Sequence, residues 1–169
     1  MYDILGKFWA FVFGVMVLFV GTVTLFAQKQ DTIVQNYVDS ATEEFVDISR
    51  ATGQISREQY EQMIRKLDAT GNVYDVEITH YKEKTAPVSG TSDYQTYYDA
   101  YDKTEILDTI YTKADQNRVY QMNTGDFLRV EVENTSTTLG RKLLGFFIGR
   151  PTTEGGQIYS SYGGYVGND

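Results

Sequence analysis

His80 is the only histidine in 169 residues, and there is no cysteine. These two facts remove most familiar reactive groupings. Zinc catalysis draws its ligands chiefly from histidine and cysteine, and nucleophilic triads set a histidine beside a serine or cysteine. His80 occupies an inward position of an alternating apolar segment, where a hydrogen-bonded core histidine is expected rather than a general base. Asp99, Asp102, Glu105 and Asp108 recur every three residues, but without the alternating ligands and turning glycine of an EF-hand they read as a solvated acidic face. Gly155-Gly156 and Gly163-Gly164 lie outside the spacings of a phosphate-binding loop. Asn134-Thr135-Ser136 matches a glycosylation acceptor, a triplet that also arises by chance. The sequence therefore predicts no enzyme, no cofactor and no metal.

Contact chemistry is better represented. The chain holds fourteen tyrosines, several in two clusters: Tyr94, Tyr97, Tyr98 and Tyr101, then Tyr159, Tyr162 and Tyr165. Tyrosine joins an apolar ring to a polar tip and is enriched at protein contacts, so both clusters are candidate head contacts. The formal charge is −8, and Asp3 and Lys7 cancel, so it all falls beyond the apolar start of the chain. Nucleic-acid phosphates and anionic headgroups would repel such a surface.

The elements that position these residues begin with Phe8 to Ala27, an uncharged run of twenty. As a helix at 1.5 Å per residue it is roughly 30 Å long, the thickness of a bilayer core. Three readings are open for it: a cleaved signal, a permanent anchor, or the core helix of a filament drawn out of the membrane. The leader carries both Asp3 and Lys7, and the run exceeds the usual apolar stretch of a signal peptide, so the helix is expected to be retained. Flanking charges barely orient it; a seven-residue leader inside and residues 28–169 outside is the expected topology. Gly6, Ala10, Gly14 and Gly21 share one broad helical face, which lets a second helix approach closely, although glycine is common in membrane helices in any case.

Helical periodicity continues past Ala27 through Ile33, Val34, Tyr37, Val38, Ala41, Phe45, Val46 and Ile48, with no proline or glycine between residues 22 and 52. One helix of roughly 70 Å over residues 2–50 is expected, apolar first and amphipathic after, its stripe packed on the chain's own sheet. Gly53 ends it, and the capping box Ser56/Gln59 opens a second helix running to about Thr70.

Tyr74, Val76, Ile78 and His80 alternate as an inner strand face. Residues 82–103 read as a long loop, with a helical turn possible around Tyr94–Tyr101. Thr104 would cap a short helix. Residues 119–122 and 127–133 read as two strands joined by the tight turn Asn123-Thr124-Gly125-Asp126. Residues 135–149 suit either an amphipathic helix or a connection, and 158–166 a last strand. The expected fold is α+β: a long N-terminal helix over 1–52 and a small, mainly antiparallel head over 53–169.

This order of parts resembles a type IV pilin-like protein. ISRATGQISREQYEQMIRKLDATGNVYDVEI and TGDFLRVEVEN are similar in layout to pilin-like proteins of tight-adherence (TadE-like) systems of Gram-positive bacteria. The resemblance implies a subunit stored in the membrane, handed to a pilus assembly machinery, and packed with copies of itself in a helical filament at the cell surface. Such pilins usually carry a glutamate near the start of the mature helix. Here Asp3 is the sole acidic residue before Lys29, so Asp3 takes that role or the chain belongs to the anchored, machinery side of the family. The alternative function is a single-pass anchored binding or assembly factor of a pilus, secretion or conjugation machine.

Overall fold

The structure is a computed structural model that describes residues 2–87, 94–112, 119–138, 142, 145–146, 149 and 158–167, with residues 2 and 3 described by backbone alone. Helix α1 runs unbroken over Tyr2–Thr52, 51 residues, and Gly53 at φ 66° turns the chain out of it. Strand β1 (Gln54–Ser56) leads into α2 (Arg57–Asp68), whose Ser56/Gln59 capping box forms as expected. There follow β2 (Tyr74–Pro87), β3 (Tyr94–Tyr101), α3 (Lys103–Tyr111), β4 (Val119–Gln121), β5 (Phe127–Asn134) and β6 (Tyr159–Tyr165). The fold is α+β: an antiparallel sheet in the order β3-β2-β5-β6, and a small sheet pairing β1 with β4.

Alternation along β2 and β5 sends Val76, Ile78, Leu128, Val130 and Val132 to one face of the large sheet, all buried. The second half of α1 covers that face with Val38, Ala41, Phe45 and Val46, and α2 adds Met63 and Leu67. The helix also seals the β6 edge. Gln35 Nε2 donates to the Tyr159 carbonyl at 2.8 Å while its Oε1 accepts from the Tyr159 amide at 3.2 Å. At the other end, Arg50 Nε donates to the Tyr165 carbonyl at 2.8 Å. Fifteen helical residues rise about 22 Å and six strand steps about 20 Å, so helix and strand run side by side in the same direction. Antiparallel pairing then makes β2 run away from the apolar end of α1. A Cβ at Gly163 would lie 2.8 Å from the Leu128 carbonyl, so β6 reaches β5 here only without a side chain.

Four expectations are corrected. Residues 82–87 and 94–101 form a hairpin rather than a loop, registered from His80↔Tyr101 to Pro87↔Tyr94, and the Tyr94–Tyr101 segment is strand rather than helical turn. Pairing of β2 with β5 stops at Tyr81↔Phe127, so the rest of this hairpin projects as a two-stranded arm of about 20 Å. Both of its faces meet solvent, so no apolar alternation marks it. Strands β4 and β5 flank the Thr124-Gly125 turn without pairing to each other, because β4 joins β1. Asp102, not Thr104, caps α3, its carboxylate accepting from the Glu105 amide at 3.1 Å. Finally, Ile33, Tyr37 and Ile48 are exposed although they fall in the apolar stripe of α1. At about 100° per residue they lie roughly 80° to 140° around the helix from Val38, beyond the arc that the sheet covers. Of residues 135–149, residues 139–141, 143–144 and 147–148 lie outside the described residues.

Candidate functional site

No group of three or more metal-ligating side chains occurs among the described residues. The acidic series does not share one face: Asp99 pairs with Lys84 on the hairpin, Asp102 is a helix cap, and Glu105 and Asp108 lie on α3. Asn134 of the glycosylation triplet is buried, its Oδ1 accepting from the amide and hydroxyl of Ser136.

His80 is the hub of a polar pin. It is 1% exposed, as is Asp126. Its Nε2 lies 2.9 Å from Asp126 Oδ2 and its Nδ1 2.7 Å from the Tyr120 hydroxyl, while the ring stacks on Tyr101. An ionised carboxylate only accepts, so Nε2 carries the proton and Nδ1 accepts from the tyrosine. Asp126 also accepts from the amides of Glu83 at 3.0 Å and Asn123 at 2.7 Å. One imidazole thus ties together β2, the small β1–β4 sheet and the turn before β5. The chain Tyr120–His80–Asp126 has the order of a relay, but burial holds the Tyr120 phenol well above its ordinary value, opposite to the activation that a nucleophile requires. The position of His80 was legible from alternation; its meeting with Tyr101, Tyr120 and Asp126 was not, since they lie 21 to 46 residues away in sequence.

Burial pushes the His80 imidazole below its ordinary value, helped by the charge of Lys82 and opposed by the hydrogen bond and charge of Asp126. A native histidine held neutral loses ground once the unfolded chain begins to bind protons. Stability is therefore expected to fall as pH drops below about 6.5 towards the native value, with a slope of up to about 1.4 kcal/mol per pH unit. Urea unfolding between pH 7.5 and 5 measures this, and His80→Gln should flatten the slope because no other histidine exists.

The tyrosine clusters divide between the two faces of the sheet. Tyr101 and Tyr162 turn towards the core side, the latter packing against it. Tyr159 is exposed and its hydroxyl donates to Glu131. Tyr94 and Tyr97 are exposed on the projecting arm. On the solvent face, Tyr81, Phe127 and Tyr165 lie opposite one another on β2, β5 and β6, with ring centroids 6.1 and 5.1 Å apart. Tyr98, Ala100 and Arg129 complete an open groove of about 500 Å³ along this aromatic row. Tyr81 and Phe127 were not singled out by clustering, because the row assembles from three separate strands.

The other surface is the first half of α1. It is one helix long and apolar enough to cross a membrane, and almost none of its apolar stretch is covered by the rest of the chain. A Cβ added at Gly6, Gly14 or Gly21 would meet nothing within 4 Å, and Ala10 is exposed on the same face. The side chain of Asp3 lies outside the described residues. No protein-family model, curated protein or solved structure matches this chain.

Proposed function

We propose that this chain is a structural subunit of a pilus-like surface filament. It is stored in the membrane through the apolar half of α1 and then transferred into a bundle of identical helices, with the heads outside. The observation that carries the reading is the apolar helix left uncovered by its own head, with three glycines opening onto empty space along it. Lipid and a helix bundle are similarly apolar, so the transfer changes the surroundings of about twenty side chains at small net cost. The partners of this reading are copies of the same chain, the membrane before assembly, and an assembly machinery.

The aromatic row and the projecting arm favour a second reading, an anchored factor whose head binds another protein. Mechanical shearing of intact cells separates the two. A filament subunit is released into the supernatant as fibres visible by electron microscopy, whereas an anchored factor sediments with membranes. Complete retention in the membrane fraction, with no fibres, would overturn the filament reading.

A further inference from the structure

The apolar half of α1 has a second distinctive side besides its glycines. Val15, Phe19, Phe26, Ile33 and Tyr37 are spaced by four or seven residues and form a ridge along one line of the helix. All five are exposed, Phe26 and Ile33 each at 63%. At about 100° per residue this ridge lies roughly 150° around the helix from the centre of the Gly6, Ala10, Gly14 and Gly21 face. A bulky ridge and a face that is low at its glycines, with Val17 standing between Gly14 and Gly21, thus occupy nearly opposite sides of one helix. Ile33 and Tyr37 continue the ridge above the apolar run, where lipid would not cover them and the head covers them only in part, the two lining an open cleft with Ala69 and Thr70.

We infer that neighbouring copies pack ridge into groove, with Phe26 and Ile33 of one copy seated on Gly14 and Gly21 of the next. This rests on the filament reading and specifies its contact. Seven residues separate Gly14 from Gly21, and seven separate Phe26 from Ile33, so both knobs meet both glycines at one axial shift of twelve residues, about 18 Å. A five-residue shift is also in phase, but it sets Phe19 and Phe26 on the glycines and places Ile33 opposite Gln28 instead. Absence of a Cβ at each contact lets the two backbones approach closely around an inserted side chain. Exposed aromatic and branched side chains at roughly half of their 150–250 Å² give on the order of 500 Å² from each copy, reaching the roughly 1,000 Å² total of a specific contact. Since donor and acceptor surfaces lie on opposite sides, each added copy presents a fresh ridge. Contacts of this head-to-tail kind propagate instead of closing into a dimer.

The chain has no cysteine, so paired substitutions report the register directly. The full-length protein is expressed in cells with Ile33→Cys plus Gly21→Cys, or Phe26→Cys plus Gly14→Cys, and oxidised. Either pair is expected to give a ladder of dimers, trimers and higher species, while each single substitution stays monomeric. A dimer from Ile33→Cys alone would indicate ridge-to-ridge pairing, and a ladder only from Phe26→Cys plus Gly21→Cys would indicate the shorter stagger; either overturns the inference. Sheared fibres without the ladder leave a filament but refute this packing. A ladder confined to membranes without fibres would overturn the inference, because copies seated at one depth in a bilayer cannot be offset by about 18 Å along their axes. Because cysteine in place of glycine could itself disturb the helix, Ile33→Ser provides a second measurement with both glycines intact. It is expected to reduce sheared material roughly tenfold at unchanged total protein; normal fibre yield would overturn the inference.

Discussion

Replacing Asp126 with alanine is expected to destabilise the head by about 3–5 kcal/mol, because three donors, one buried and two part-buried, lose their acceptor at once. The His80 Nε2 proton, the Asn123 amide and the Glu83 amide all point at this one carboxylate. A buried donor left unpaired costs about 1–3 kcal/mol and a part-buried one less, and truncation at a 1%-exposed position adds the cost of a cavity. Hydrogen bonds made by the Asp126 backbone, to the Asn123 carbonyl and from the Val166 amide, survive the substitution, so the turn itself is not removed. The melting temperature should drop by more than about 10 °C on this scale, read by tyrosine fluorescence or circular dichroism of the full chain in detergent. Asp126→Asn should cost less, since one carbonyl oxygen can still accept, yet its amide group faces a donor. A loss below about 1 kcal/mol for the alanine variant would mean that the pin is not what joins the two sheets.

The second large effect concerns assembly and not folding. Gly14→Leu or Gly21→Leu should abolish fibres while leaving insertion and head stability unchanged. Within one chain the added side chain meets nothing within 4 Å, so no intramolecular clash arises. Glycine to leucine also favours the helix by roughly 0.8–1 kcal/mol and makes the segment more apolar, so membrane residence should be at least as good. Between chains the same side chain fills the groove and forces the helix axes apart, removing the close packing that holds helices together where no hydrophobic driving force operates. Quantitative blotting of sheared and membrane fractions gives the readout. Normal fibre yield from both variants would refute a close-packed glycine seam.

Much of the framework was legible in the chain itself. The uninterrupted periodicity from the apolar run to Arg50, Gly53 at its end, the Ser56/Gln59 box and the alternation of β2 and β5 all stand where local chemistry placed them. These are short-range signals: a missing breaker, a cap three residues long, a period of two. The hairpin of residues 82–101 escaped for a definite reason. Its strands pair through their backbones and are solvated on both faces, where the Lys84–Asp99 ion pair and three exposed tyrosines leave no buried side to create a pattern. Likewise β1 and β4, three residues each, are defined by each other rather than by composition.

Sequence alone determined that an apolar helix long enough to cross a membrane continues into an amphipathic one, and that a small α+β head with one histidine follows. Only the tertiary structure decided which flank of that helix faces the sheet. It placed Val38 and Phe45 inside and left Ile33 and Tyr37 outside, because four strands cover a limited arc of a cylinder and Gln35 and Arg50 fix its rotation against β6. By the same long-range closure, His80 met Tyr120 and Asp126, and Tyr81 met Phe127 and Tyr165. Contacts of this sort depend on register between strands far apart in the chain, which no local spacing encodes.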